Sequence, residues 1–437
     1  MNISHARSAD GHRPASPQSG LLFRFVTICG LGNHTRMKQF TKVVIRLRAD
    51  HRLEKPVSWL ELFFDLVFVA AVAQVGTPLG HEYTFVGLAR YAFLFFLIWW
   101  AWLGHTMFNT RFLVDDSVQR IFTLIQIFAT AVMAANAKDA LSSRDSAGFA
   151  AAYALVRLIL AIQYLRASRV SSTRRLCLVH GIGFGIASVI WVGAAFVDIP
   201  FRYGLWILAL LIDVLTPALS AHRTHRLPPD SAHLPERFGL FTIILLGESV
   251  MAIMRGIESQ ENWPPQAALS AIFGLCLVFA YWWWYFDHSG ATEERQFQNR
   301  RHTLGFQAWL YIHFPLYLAI AVAGIGVEHI ISLRPGEHLS RESIHLLASA
   351  TCVLMFSLAI ISLTSTAKAR RKSVAQLFMP ALAILPLISS AESVPPYLIL
   401  AFYLLLCLLQ GWLMKSESAR SLPLIAIPLE LTAASAE

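Results

Sequence analysis

The sequence predicts an all-α, polytopic transmembrane helix bundle of about twelve spans, on three observations. Of the 437 residues, 56% are hydrophobic and only 14% charged, far below the roughly 25% charged of a soluble domain. Apolar runs of about 20 residues, the length that crosses roughly 30 Å of hydrocarbon, recur along the chain. These runs are continuous rather than alternating, so helices that satisfy their own backbone groups are predicted over a barrel.

Residues 1–54 read as a basic cytoplasmic N-terminal tail, predicted to be disordered. Within it, "LLFRFVTICGLG" (21–32) is too short to span and is interrupted by Arg24. A compact basic run opens at Met37, which predicts that translation starts there. Spans are predicted at 58–77, 86–107, 118–140, 147–167, 176–197, 201–221, 236–256, 266–288, 303–327, 343–366, 374–393 and 396–414. They group into a first six-helix half (55–227) and a second (228–415), followed by a cytoplasmic C-terminal tail (416–437).

The charges between spans carry the orientation. With a cytoplasmic N-terminus, the inner connections hold Arg111, Arg120, Arg166, Arg169, Arg174, Arg175, Arg223, Arg226, Arg237, Arg295, Arg300, Arg301, Lys368, Arg370, Arg371 and Lys372. The outer ones hold Arg90, Lys138, Arg144, Arg202, Arg255, Arg334 and Arg341, spread thinly. The positive-inside rule then predicts both termini in the cytoplasm. The net charge of +9 is therefore a topology signal, not the mark of a nucleic-acid partner. Trp99, Trp100 and Trp102, and later Trp282, Trp283 and Trp284, read as indoles at headgroup level. Span 1 starts Glu61-x-Phe63 and span 7 starts Glu236-x-Phe238, a hint of two parallel halves. Shared hydrophobicity alone produces such likeness, so duplication and chance both stay open.

Ser58-x-x-Glu61 has the spacing of a capping box, with a carboxylate at the positive end of a helix dipole. Glu61 is thus either a structural cap or a functional acid, and Glu236, after Pro235, is open to the same pair of readings. Asp65 lies seven residues beyond Ser58, about 10 Å along the helix, where no cap reaches. Arg157, Asp213 and Glu248 fall deeper, roughly 15–18 Å into their spans at 1.5 Å per residue. A charge at that depth costs at least about 2.5–3.5 kcal/mol on insertion scales, so each is expected to face a partner or a wet cavity. One arginine neutralises one acid. If Arg157 takes Asp213 or Glu248, the other must hold a proton or a cation or face water, the chemistry of a coupling site. The blander alternative is a buried salt bridge beside a neutral carboxylic acid. Pro217, four residues after Asp213, lacks an amide donor and pushes away the Asp213 carbonyl, which adds a second oxygen for a cation or merely a kink. Gly247-Glu248-Ser249 sets a small residue for close helix approach beside an acid and a hydroxyl. Gly181 and Gly185 in span 5 have helix-packing spacing.

Asp287, closing span 8, and His313, inside span 9, are candidates for proton relay, against the reading of hydrogen-bonded structural groups. His222-x-x-His225 in an arginine-rich loop reads as a solvated basic segment, so no metal site is predicted. The five cysteines are scattered and support neither a disulfide framework nor zinc. No phosphate-binding loop, nucleophile elbow or zinc-hydrolase motif is present, so neither an enzyme nor a cofactor is predicted.

"SWLELFFDLVFVAAVAQ" (58–74), "HLPERFGLFTIILLGESV" (233–250), "WWWYFD" (282–287) and "YIHFPLYLAIAVAGIG" (311–326), in this order, resemble the low temperature requirement protein A (LtrA) family of bacterial membrane proteins. The resemblance runs from about residue 55 to 410. It implies a bacterial inner-membrane protein of a family named for growth in the cold, and touches Glu61, Phe64, Asp65, Arg157, Glu236, Arg237, Gly247, Glu248, Asp287 and His313. The segment before Met37 departs from the family pattern. Two functions follow as expectations. One is a secondary transporter or ion-translocating protein whose Glu61, Asp65, Arg157, Asp213, Glu248, Asp287 and His313 handle a proton or small cation in one shared midplane pocket. The other is a non-transporting component that binds lipid or a protein partner, its buried charges serving packing alone.

Overall fold

The computed structural model describes residues 46–47, 57–114, 116–137, 140–141, 146–220, 229–294, 300–364 and 394–420. Their secondary structure is helical apart from one two-residue strand pair. Helices run over Trp59–His81 (α1), Phe85–Arg111 (α2), Ser117–Ala135 (α3), Ser146–Ala167 (α4), Arg174–Ala195 (α5) and Phe201–Leu219 (α6). They continue over His233–Glu258 (α7), Pro265–Trp283 (α8), Arg300–Ser332 (α9), Arg341–Leu363 (α10) and Pro396–Arg420 (α11). Arg46–Leu47 (β1) pairs antiparallel with Phe112–Leu113 (β2).

Ten of these helices are long and apolar enough to cross a bilayer, so the chain is a polytopic helix bundle. The count of twelve is not reached among the described residues. The run predicted at 374–393 lies outside them, as do the His222-x-x-His225 loop and most of the N-terminal tail. The last helix runs over Pro396–Arg420, and its apolar stretch Pro396–Leu409 extends as far as its side chains are described.

The helix starts follow from local chemistry. Ser58 Oγ accepts from the Glu61 amide at 3.3 Å while Glu61 Oε2 accepts from the Ser58 amide at 2.9 Å, closing the capping box on α1. Thr84, Asp116 and Ser340 cap α2, α3 and α10 through side-chain oxygens. Asp230 Oδ1 accepts from the amides of Ala232 and His233 at 3.0 Å each, satisfying donors at the start of α7. Prolines 264 and 265 open α8, where a missing N–H costs nothing.

Packing places α1, α7 and α9 at the centre. Phe238 meets Trp309 and Tyr317, Ser249 meets Gly324, and Gly256 meets Ile331, so α7 and α9 run side by side in one direction. A Cβ on Gly324 would lie 2.8 Å from Ser249 Oγ and 3.1 Å from its Cα, so the close approach needs glycine there. Gly247, by contrast, has nothing within 4 Å of a built Cβ; the small residue that admits the neighbour is Gly324, and the expectation for Gly247 is corrected. Gly181 packs against Leu165 on α4, with its backbone nitrogen 3.2 Å from a built Cβ. On the outside, Ile121, Leu124, Phe128 and Val132 of α3 form an exposed stripe at helical spacing. Such a face suits lipid.

The tryptophans also differ from expectation. Trp99, Trp100 and Trp102 are buried, wedged among Phe96, Phe314, Phe238 and Phe241. The reason is length: α2 continues nine residues past Trp102 to Arg111, so these indoles lie inside the bundle and not at its rim. Trp282 alone of the second cluster is exposed, and Trp284 is buried.

Candidate functional site

Three separate clusters of ionisable residues stand among the described spans, each built around its own arginine. The first lies where α1 and α7 begin. Asp65, fully buried, accepts from Trp102 Nε1 at 2.7 Å and from Arg237 Nε at 3.0 Å, and its Oδ1 also takes Arg237 Nη2. Arg237 Nη1 lies 3.3 Å from Glu61 Oε1, and His233 Nε2 3.6 Å from the same oxygen. Glu61 therefore caps its helix and faces the arginine at once. A bidentate guanidinium plus an indole donor leaves Asp65 no unfilled need, which is how a carboxylate is held inside a bundle.

The second cluster joins α4 and α6. Arg157 Nε lies 2.7 Å from Asp213 Oδ2, both residues fully buried, and Tyr153 bridges them at 3.2 and 3.4 Å. The Arg157 guanidinium also lies over the Tyr153 and Phe184 rings, 5.3 and 5.5 Å from their centroids. Here α6 continues unbroken through Pro217 to Leu219.

The third cluster is at the opposite end, where α7 and α9 finish. Arg255 Nη1 donates to Glu248 Oε1 at 2.9 Å and Arg255 Nη2 to Glu328 Oε2 at 3.0 Å. These groups are not sealed: Arg255 is 45% exposed, Glu248 24% and Glu328 22%. They line a cleft of about 530 Å³ between α1, α7 and α9, together with Gly76, Tyr91 and Ser249. Ten residues separate Glu248 from the end of α7 at Glu258, about 15 Å, so the cleft reaches well into the bundle.

The single shared pocket expected from the sequence is thus not the arrangement found. Arg237 and Glu248 stand eleven residues apart on α7, about 16 Å along its axis. Asp65 and Asp213 each close on their own arginine, so the acids do not compete for Arg157. His313 is buried in aromatics, its Nδ1 2.6 Å from the Trp309 carbonyl and its Nε2 3.1 Å from the Tyr285 hydroxyl. A carbonyl only accepts, so Nδ1 is the donor, and in a neutral ring Nε2 would accept from the Tyr285 hydroxyl. Asp287 is exposed on the π-helical turn Trp284–His288 that ends α8. Among the described residues no group of three metal-ligating side chains converges.

Several partners escaped the sequence reading. Arg237 and Arg255 sit at span boundaries, where the sequence groups them with the loop charges, yet Arg237 is fully buried. Glu328, at the end of a long apolar run, drew no attention. A signal was present for Arg237: it is one turn from Glu61 and Asp65 if the starts of spans 1 and 7 are placed side by side.

Fold and charge distribution together define a polytopic α-helical membrane protein with paired charges inside its bundle. Residues 56–411 match the family described as bacterial low temperature requirement A protein (LtrA), and the chain belongs to that family. It is similar to an uncharacterized protein of Rhizobium meliloti (strain 1021), 28% identical over 297 residues, which covers 64% of this chain and 71% of the relative. No solved structure matches.

Proposed function

We propose that this protein is a secondary transporter or ion-translocating protein of the bacterial inner membrane, and that Glu248, Arg255 and Glu328 handle a proton or small cation. One observation carries the reading: two carboxylates share one guanidinium in a partly open cleft of about 530 Å³ at membrane depth. The triad keeps one formal negative charge in excess, which a proton or monovalent cation would balance. Glycines 76 and 324 let α1, α7 and α9 approach closely on either side of the cleft, so a small relative movement of these helices changes its width. The remaining features of the reading are twelve spans in two six-helix halves, with both termini cytoplasmic. In this orientation the cleft faces the periplasm.

A second reading, a non-transporting component that binds lipid or a protein partner, draws on a different observation. Asp65 is closed by Arg237 and the Trp102 indole, and Asp213 is paired through Oδ2 with Arg157 and Tyr153, as structural pairs would be. Ion flux separates the two. In proteoliposomes under an imposed pH or cation gradient, the wild type passes the ion and Glu248→Gln does not. Equal background flux from both proteins rejects translocation and leaves the second reading.

A further inference from the structure

A second cavity, of about 110 Å³, opens at the other end of the bundle, between α2, α4, α5 and the first turns of α9. That is several times the 10–15 Å³ that one water needs. Its walls are mixed: Trp100, Phe184 and Phe306 are apolar, whereas Arg111, Arg157 and His180 bring polar nitrogens. Arg157 is fully buried and gives Nε to Asp213 and Tyr153, yet neither Nη1 nor Nη2 has a hydrogen-bond partner among the described residues. Arg111, 7% exposed, gives Nη1 to the Tyr164 hydroxyl at 3.4 Å, and its Nε has no partner. Buried donors on cations are costly to leave open, and Asp213 offsets only one of the two charges. Among the described residues Arg111, Arg157 and Asp213 thus sum to one positive charge, and Arg157 Nη1, Arg157 Nη2 and Arg111 Nε have no hydrogen-bond partner.

We infer that this cavity binds a monoanionic phosphate group of the phosphomonoester type. Oxyanion recognition follows from the arginines, whose planar forks match phosphate oxygens. The choice among oxyanions follows from His180. Its Nδ1 lies 2.9 Å from the Leu176 carbonyl and must donate to it, so in the neutral ring Nε2 is an acceptor. Tyr164 stacks on the ring at 4.9 Å and 21°, fixing that orientation. An acceptor beside two cations suits a ligand that carries both negative oxygens and an O–H. Monoanionic phosphate and its monoesters have one; sulfate and phosphodiesters do not. Gly104 makes the space: a Cβ there would lie 2.8 Å from Arg157 Nη1. Tyr311, 47% exposed, stands at the mouth on α9, so an attached acyl tail has an apolar exit. The group comes either free, as inorganic phosphate, or as the headgroup of phosphatidic acid.

The test uses the full-length protein in phosphatidylcholine nanodiscs, followed by tryptophan fluorescence and titration calorimetry. Inorganic phosphate and sulfate form one pair of probes; short-chain phosphatidic acid and phosphatidylglycerol form the other. The expected result is saturable binding of phosphate, phosphatidic acid or both, at least tenfold tighter than sulfate and phosphatidylglycerol. Binding of phosphate alone assigns a soluble source, and of phosphatidic acid alone a lipid one. Arg111→Gln, which leaves the Arg157–Asp213 pair intact, weakens binding at least tenfold, and Gly104→Ala weakens it by crowding Arg157. The inference is overturned if neither phosphomonoester binds, if sulfate and the diester bind as tightly, or if Arg111→Gln changes nothing.

Discussion

Removing Arg237 tests how α1 and α7 are held together at their buried ends. In Arg237→Ala, Asp65 keeps its indole bond at 2.7 Å from Trp102 but loses both guanidinium contacts in a fully buried position. Breaking one side of a buried pair costs about 3–5 kcal/mol. The carboxyl has one escape, which is to take a proton. For an ordinary carboxyl with a pKa of about 3.9 that costs about 1.4 kcal/mol per pH unit, or about 4 kcal/mol at pH 7. The two figures agree, so the loss is set at about 4 kcal/mol at pH 7 and shrinks to about 1.5 kcal/mol at pH 5. The sign follows because acid supplies the proton that the folded variant takes up. Asp65→Asn costs less, because Arg237 still faces Glu61 at 3.3 Å. The double variant Asp65→Asn/Arg237→Ala recovers at least half of the loss, since no charge is then stranded. Denaturant unfolding in detergent micelles at pH 7 and pH 5 measures all four proteins. A loss under 1 kcal/mol in Arg237→Ala, or a double variant as unstable as the sum of the singles, refutes the reasoning.

Three further outcomes follow from the same geometry. Gly324→Ala forces a methyl to within 2.8 Å of Ser249 Oγ and 3.1 Å of its backbone, so stability falls by about 1–3 kcal/mol, read as a lower melting temperature in detergent. Ser58→Ala opens the capping box of α1 and lowers unfolding free energy by about 1 kcal/mol in the same denaturant assay. Glu248→Gln leaves Arg255 with Glu328 in a partly exposed setting, so stability changes by less than about 1 kcal/mol; a melting curve that stays in place shows that any lost flux is not lost folding.

The architecture was legible in the sequence because bilayer thickness dictates a run length that hydropathy exposes. The cap at Ser58 and Glu61 was legible for a similar reason, since its geometry is local. Partner choice was not. Arg157 had two acids of equal depth to choose from, and only the way α4 and α6 both pack on α5 decides for Asp213. Arg237 stood at a span boundary, where a basic residue is an ordinary topology signal, so its place opposite Asp65 was hidden until α1 and α7 were set side by side. The buried tryptophans misled for the opposite reason: indoles are common at headgroup level, and nothing in the run 99–102 announces that α2 continues to Arg111. Glu248 kept its standing as the acid at depth that meets an open cleft, though with Arg255 as its partner and not Arg157.

The functional account rests on water reaching Glu248 between α1, α7 and α9. Its most direct test is chemical access in a cysteine-free background. Ala73, half-buried on the cleft wall, and Leu208, 48% exposed on the outer face of α6, are each replaced by cysteine and treated with a small charged, membrane-impermeant thiol reagent. Ala73→Cys is expected to react and Leu208→Cys to stay unmodified, although the latter is the barer position, because one faces water and the other lipid. An unreactive Ala73→Cys beside a reactive Leu208→Cys contradicts it.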